Sequence, residues 1–138
     1  MAAGPIPVVA PSVDTSAFDP RAMLDACFGN EGTVKHMLSV FLSKTKVTSV
    51  EEALAAGDAR MLRKHAHALK GALGYVYATQ AVATVKRIET EAEAAGAMGG
   101  GWDDATRERL ATSVAELRGE VEQVSMSIRA WMAMSDDA

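Results

Sequence analysis

Apolar residues recur at helical spacing along most of the chain, and no segment shows the strict alternation expected of a β-strand. The clearest pattern lies near the end of the chain, where steps of four and three separate Leu110, Val114, Leu117, Val121, Val124, Ile128 and Trp131. This heptad pattern is typical of a bundle helix, although a self-standing coiled-coil dimer also fits it. Since the other amphipathic helices also need covering, we favour the bundle.

Capping and turn residues divide the chain into helices. Asp19 followed by Pro20 predicts a short helix over residues 20–28, which Gly29 ends. Longer helices are predicted over residues 31–56, 59–77 and 79–95, and from Asp103 or Asp104 to about residue 134. A glycine-rich connector occupies residues 96–102. The pattern therefore predicts an all-α fold, an antiparallel four-helix bundle with a short extra N-terminal helix.

The domain organisation follows from length and from proline content. Three prolines lie within residues 1–17, which are predicted to form a flexible N-terminal tail. Residues 18–135 are enough for one bundle domain with a single core.

Composition excludes several classes of protein. The formal net charge of −4 argues against a nucleic-acid binder. The single cysteine cannot form an internal disulfide, and no apolar stretch approaches the roughly 20 residues of a membrane span. The N-terminus lacks the pattern of a signal peptide. We therefore expect a cytoplasmic monomer that binds neither nucleic acid nor membrane.

The predicted helix over residues 59–77 concentrates the candidate chemistry. At about 100° per residue, His67 lies roughly 140° from the centre of the apolar face, whereas His65 lies only about 60° from it. The outward face also carries the cations Arg60, Arg63 and Lys64, with Lys70 at its edge. An exposed imidazole is largely neutral and nucleophilic at cellular pH. A solvated charged face with an ordinary surface histidine is the alternative interpretation.

Two glycines follow His67 on the same face. Gly71 and Gly74 each cost the helix about 1 kcal/mol relative to alanine. Bare backbone beside the imidazole would let another macromolecule approach it closely. Alternatively, one glycine marks a helix end or permits tight packing against a neighbouring helix.

These residues carry a resemblance to a known family. The segment Ala66-His67-Ala68-Leu69-Lys70-Gly71 resembles the motif of histidine-containing phosphotransfer (HPt) domains, in which lysine and glycine follow the histidine at three and four residues. The segments 28–30 and 53–58, which precede it, are also similar to the family pattern. The resemblance covers residues 18–95, and the last helix fits by architecture alone.

The resemblance implies a role for each matching residue. His67 would carry the phosphoryl group at Nε2, Lys70 would stabilise that group, and Gly71 would leave space beside it. The partners would be receiver domains of response regulators or hybrid histidine kinases. The protein would pass the phosphoryl group from one receiver aspartate to another, as a carrier in two-component signalling.

Residues around the motif are candidates for partner binding. Arg60, Arg63 and Lys64 could attract an acidic surface, and Gly74 could give further room. The family often has small residues near positions 75 and 77, where this chain has Tyr75 and Tyr77. Tyr75 could therefore narrow the docking surface or contact the partner.

The sequence also bears on functions other than that of a phosphoryl carrier. The chain has no nucleotide-binding glycine loop or kinase motif, so we expect no kinase activity of its own and no cofactor, with Mg²⁺ supplied by the receiver. An interaction module that binds a receiver or regulator without phosphotransfer is the main alternative. A metal or haem bundle is disfavoured because the Glu-x-x-His pairs of di-metal bundles do not occur.

Overall fold

The computed structural model describes residues 17–97 and 101–137, and these residues form an all-α fold without strands. The helices in these ranges are α1 (Pro20–Ala26), α2 (Glu31–Lys44), α3 (Thr48–Ala56), α4 (Ala59–Tyr75), α5 (Thr79–Ala97) and α6 (Asp104–Asp137). The predicted tail over residues 1–16 and residues 98–100 of the predicted connector lie outside the described part of the chain.

The helices pack as the predicted bundle. Helix α4 packs against α3 and α5, α5 packs against α6, and the short α1 lies against α2. Ion pairs show the direction of α4 relative to α5, because Arg63 pairs with Glu93 whereas Lys70 pairs with Glu89. Residue numbers thus rise along α4 as they fall along α5, so these two helices are antiparallel.

Side-chain caps start the helices where the sequence predicts. The carboxylates of Asp19 and Asp58 accept hydrogen bonds from backbone N–H groups at the starts of α1 and α4, at 3.1 and 3.0 Å. Asn30 caps α2 in the same way, and Asp103 caps α6. Each cap satisfies a helix N–H group that has no partner within its own helix.

The continuous helix predicted over residues 31–56 is wrong. Helix α2 ends at Lys44, Thr45 has extended backbone, and α3 begins only at Thr48. Three β-branched residues, Thr45, Val47 and Thr48, lie within four positions here and favour extended backbone over helix.

Other boundaries differ by a few residues. Helix α1 ends at Ala26 rather than residue 28, and α4 ends at Tyr75 rather than residue 77. Helix α5 continues to Ala97, so the first two residues of the predicted connector are helical. The last helix continues to Asp137.

A single core lies between the helices. The heptad positions of α6 are buried from Leu110 to Ile128, whereas Trp131 is half-buried and meets the buried Phe18 edge-to-face at 6.3 Å. Ala17, which the sequence assigns to the tail, is also buried. The core thus extends from the beginning of the described chain to α6 and holds α4 in a fixed orientation.

Within the described residues, none of the helices is both long enough and apolar enough to cross a membrane.

Candidate functional site

The packing of α4 determines which of its side chains face solvent. Its inward positions, Leu62, Ala66, Leu69 and Leu73, are buried. His67 lies on the opposite side with 71% of its side chain exposed, whereas His65 is half-buried. His67 is therefore the histidine of α4 that a partner protein can reach. The third histidine of the chain, His36, is exposed on α2.

A glutamate on the neighbouring helix contacts both His67 and Lys70. Glu89 projects from α5, and one of its oxygens, Oε2, lies 2.9 Å from Nδ1 of His67. The other oxygen, Oε1, lies 2.7 Å from Nζ of Lys70. The Glu89 side chain is only 15% exposed, so packing holds it in place. Glu89 was not among the site residues predicted from the sequence.

The Glu89 contact assigns the two ring nitrogens of His67 different roles. An ionised carboxylate can only accept hydrogen bonds, so Nδ1 must be the nitrogen that donates. In the neutral ring, Nε2 then carries the free lone pair. Among the described residues Nε2 has no protein partner, and it is the nitrogen available for nucleophilic attack.

The contacts with Lys70 and His67 keep Glu89 ionised. Burial is the largest single influence on the pKa of Glu89 and acts to raise it. The contacts with Lys70 and His67 together outweigh burial, so the pKa lies below its usual value of 4.5. The carboxylate is therefore charged at neutral pH.

This pKa shift predicts a pH-dependent stability difference between the wild-type protein and Glu89→Gln. The pKa of Glu89 is lower in the folded protein than in the unfolded chain, so its ionised carboxylate stabilises the fold. This stabilisation is fully present at pH values above the unfolded-state pKa and is lost as the pH falls through the folded-state pKa. Urea unfolding should show a wild-type advantage at neutral pH that shrinks below about pH 4.5. Glu52→Gln, at an exposed position, is the control. A difference between wild type and Glu89→Gln that does not change with pH would contradict the assignment.

The basic cluster predicted around His67 is partly neutralised by α5. Arg63 lies 3.7 Å from Glu93, and Lys70 is paired with Glu89. Arg60 and Lys64 have no ion-pair partner among the described residues. Together with Arg63, His67 and Glu89, they line a depression of about 550 Å³ between α4 and α5. Arg60 and Lys64 are therefore the cations of this cluster that no described carboxylate neutralises.

The two glycines beside His67 are not required by the packing of the protein itself. Beyond the neighbouring residues and backbone of α4 itself, a Cβ atom added at Gly71 or Gly74 would meet no atom within 4 Å, and neither backbone is left-handed. Both glycines are exposed. Tight packing against a neighbouring helix is thereby excluded as their explanation, although Gly74 does lie near the end of α4. Gly71 therefore leaves an open surface one turn from His67 on α4.

Exposed aromatic residues line or adjoin a depression at these glycines: Tyr75 and Tyr77 line it, and Phe28 follows its lining residue Cys27 in the chain. Gly71, Gly74 and Tyr75 line a depression of about 480 Å³ that also includes Cys27, and the Tyr75 side chain is largely exposed. The next residue after Cys27 is Phe28, which is 98% exposed and has a left-handed backbone (φ +54°). A left-handed backbone is uncommon and unfavourable for a bulky residue. At Phe28 this unfavourable backbone accompanies an aromatic ring that is exposed to solvent.

The described residues contain no group of three or more His, Cys, Asp or Glu side chains arranged to hold a metal ion.

Comparison with known proteins agrees with this helical architecture. Residues 36–126, more than half of the chain, match the family model of the Hpt domain. The protein therefore belongs to the histidine-containing phosphotransfer family, whose members are phosphocarriers in two-component signalling and interact with receiver domains. The matched residues include most of α6. The motif resemblance in the sequence covered residues 18–95 only, and the last helix fitted the family by architecture alone. No curated protein and no solved structure matches the chain at a significant level.

Proposed function

We propose that the protein is a phosphorelay carrier, which accepts a phosphoryl group on Nε2 of His67 from a receiver aspartate and passes it to a second receiver. The observation that carries this proposal is the arrangement of His67, exposed on α4 with its Nδ1 engaged by Glu89. The carrier acts in the cytoplasm as a monomer and has no kinase activity of its own.

The transfer step uses the protonation state that Glu89 favours. Nε2 attacks the phosphorus of the aspartyl phosphate, the N–P bond forms, and the P–O bond to the aspartate breaks, which releases a carboxylate. The proton remains on Nδ1, so the ring becomes positively charged as the bond forms. The carboxylate of Glu89, 2.9 Å away, stabilises this charge. The reverse attack by a second receiver regenerates the neutral ring.

Lys70 offsets the negative charge that Glu89 places beside His67. A carboxylate next to the imidazole would repel the anionic phosphoryl group if it were uncompensated. The ammonium group of Lys70, 2.7 Å from Glu89, cancels this charge and adds a cation close to His67. Lys70 thus stabilises the phosphoryl group both directly and by neutralising Glu89. We propose that no cofactor is bound by this chain and that Mg²⁺ is held by the acidic pocket of the receiver.

The proposed docking face surrounds His67. Gly71 and Gly74 allow the receiver to approach the imidazole closely, and Arg60 and Lys64 attract its acidic pocket. Exposed aromatic rings are frequent anchors of protein interfaces. Tyr75, about 80° round α4 from His67, is therefore proposed to contact the receiver.

A phosphotransfer assay tests the proposal. The full-length protein is mixed in ATP-free buffer with receiver domains that have been phosphorylated with acetyl phosphate and then freed of it. We expect acid-labile phosphate on this protein, located at His67 by mass spectrometry, and its removal when a second unphosphorylated receiver is added. Stable binding of a receiver without transfer of phosphate would instead identify an interaction module and contradict the carrier mechanism.

A further inference from the structure

A second concave surface lies roughly a third of a turn round α4 from His67. It is a groove of about 450 Å³ between α2 and α4, and the α2–α3 connection borders it. Its walls are mainly apolar and include Met37, Val40, Phe41, Leu69, Ala72 and Val76. The size and the apolar lining are those of a site for a small organic ligand.

The charged groups of this groove all have the same sign. Lys44 and Lys46 line it, and no aspartate or glutamate does. Neither lysine has an ion-pair partner among the described residues. The formal charge of the whole chain is −4, so this positive edge contrasts with the rest of the protein. An anionic group would be attracted to it.

The break between α2 and α3 places both lysines at one end of the groove. Lys44 is the last residue of α2, and Lys46 follows in the connection. The dipole of α2 favours a cation in its last turn, which accounts for Lys44. It does not account for Lys46, which lies beyond the helix end. Lys46, a second cation beside the same apolar groove, therefore requires a further explanation.

We propose that this groove binds a single-chain amphipathic anion of the fatty-acid type. The carboxylate would lie between Lys44 and Lys46, and the acyl chain would run along Phe41 and Leu69 towards Val76. A helix from another protein would present charges along its length, whereas the lysines occupy one end only. A ligand with one charged end and an apolar body fits this distribution best.

Isothermal titration of the full-length protein with laurate, below its micelle concentration, tests the proposal. We expect saturable binding with one site, and chemical-shift changes confined to the α2–α4 groove. Replacing both lysines (Lys44→Gln with Lys46→Gln) should weaken binding by about tenfold or more, because hydrogen bonds to charged groups are lost. The matched control replaces two exposed cations elsewhere, Lys86→Gln with Arg129→Gln, and should leave binding unchanged.

Two further binding measurements distinguish a specific site in the groove from non-specific adsorption of laurate. Ala72→Leu adds bulk inside the groove and should also weaken laurate binding. Dodecanol, which has the same chain without the charge, should bind at least about tenfold more weakly than laurate. The proposal is overturned if laurate does not saturate, if dodecanol binds equally well, or if the shifted amides lie outside the groove.

Discussion

Replacing His67 with glutamine is expected to abolish phosphoryl transfer to this protein. Glutamine retains hydrogen-bonding groups that can reach Glu89, but it has no ring nitrogen that can attack phosphorus. Because the His67 side chain is largely exposed, its replacement should leave the fold intact. The measurement is acid-labile phosphate on the protein after mixing with a phosphorylated receiver, with thermal unfolding as the check on folding.

The other two histidines of the chain provide the controls. His65→Gln changes a half-buried side chain two residues away on α4, and His36→Gln changes an exposed side chain on α2. Both variants should accept phosphate at close to the wild-type level, since neither histidine contacts Glu89. Phosphate that persists on His67→Gln, or disappears from folded His65→Gln, would show that another residue is the acceptor.

Replacing Gly71 with leucine is expected to stabilise the protein and impair phosphotransfer at the same time. The added side chain meets no neighbour within the protein, and the helix gains up to about 1 kcal/mol when glycine is removed. The same side chain would separate the receiver from the imidazole one turn away. Reacting groups that are held apart lose much of the benefit of proximity, so the transfer rate should fall by more than about tenfold.

Helix α6 offers a matched control for this experiment. Gly119 is also an exposed helical glycine with open space around its Cβ position, but it lies away from the His67 site. Gly119→Leu should therefore raise the free energy of unfolding by a similar amount and leave phosphotransfer unchanged. Equal transfer by both variants would mean that the receiver does not approach His67 over Gly71.

The sequence predicted the features of α4 that depend on helical periodicity. Its apolar residues recur regularly, so the outward position of His67 and the half-buried position of His65 follow from residue spacing alone. The caps were equally predictable, because Asp19, Asn30, Asp58 and Asp103 act on the residues that directly follow them. These are local properties, which an amino-acid sequence expresses directly.

Glu89 was missed because its partners lie on another helix. It meets His67 across 22 residues, and α5 carries two other glutamates, Glu91 and Glu93, within four positions. Periodicity identifies the face of α5 that is buried, but the rotation of α5 against α4 decides which glutamate reaches the imidazole. The basic cluster on α4 was overestimated for the same reason, since Glu89 and Glu93 face it.

The break after Lys44 was missed for a different reason. No glycine or proline lies between Lys44 and Thr48, so the usual signals of a helix end are absent there. The β-branched residues at Thr45, Val47 and Thr48 give only a weak opposing preference. The groove between α2 and α4 could not be predicted, because it depends on how the two separate helices pack.

The pairing of Glu89 with His67 also bears on how the protein folds. The phosphoryl site is built from one helical hairpin, α4 and α5, whereas Arg118 reaches Glu51 across 67 residues. Closing the longer loop costs about 1 kcal/mol more chain entropy than closing the shorter one. Contacts that are close in sequence tend to form early in folding. The hairpin that contains His67 is therefore expected to assemble before α6 completes the core against α3.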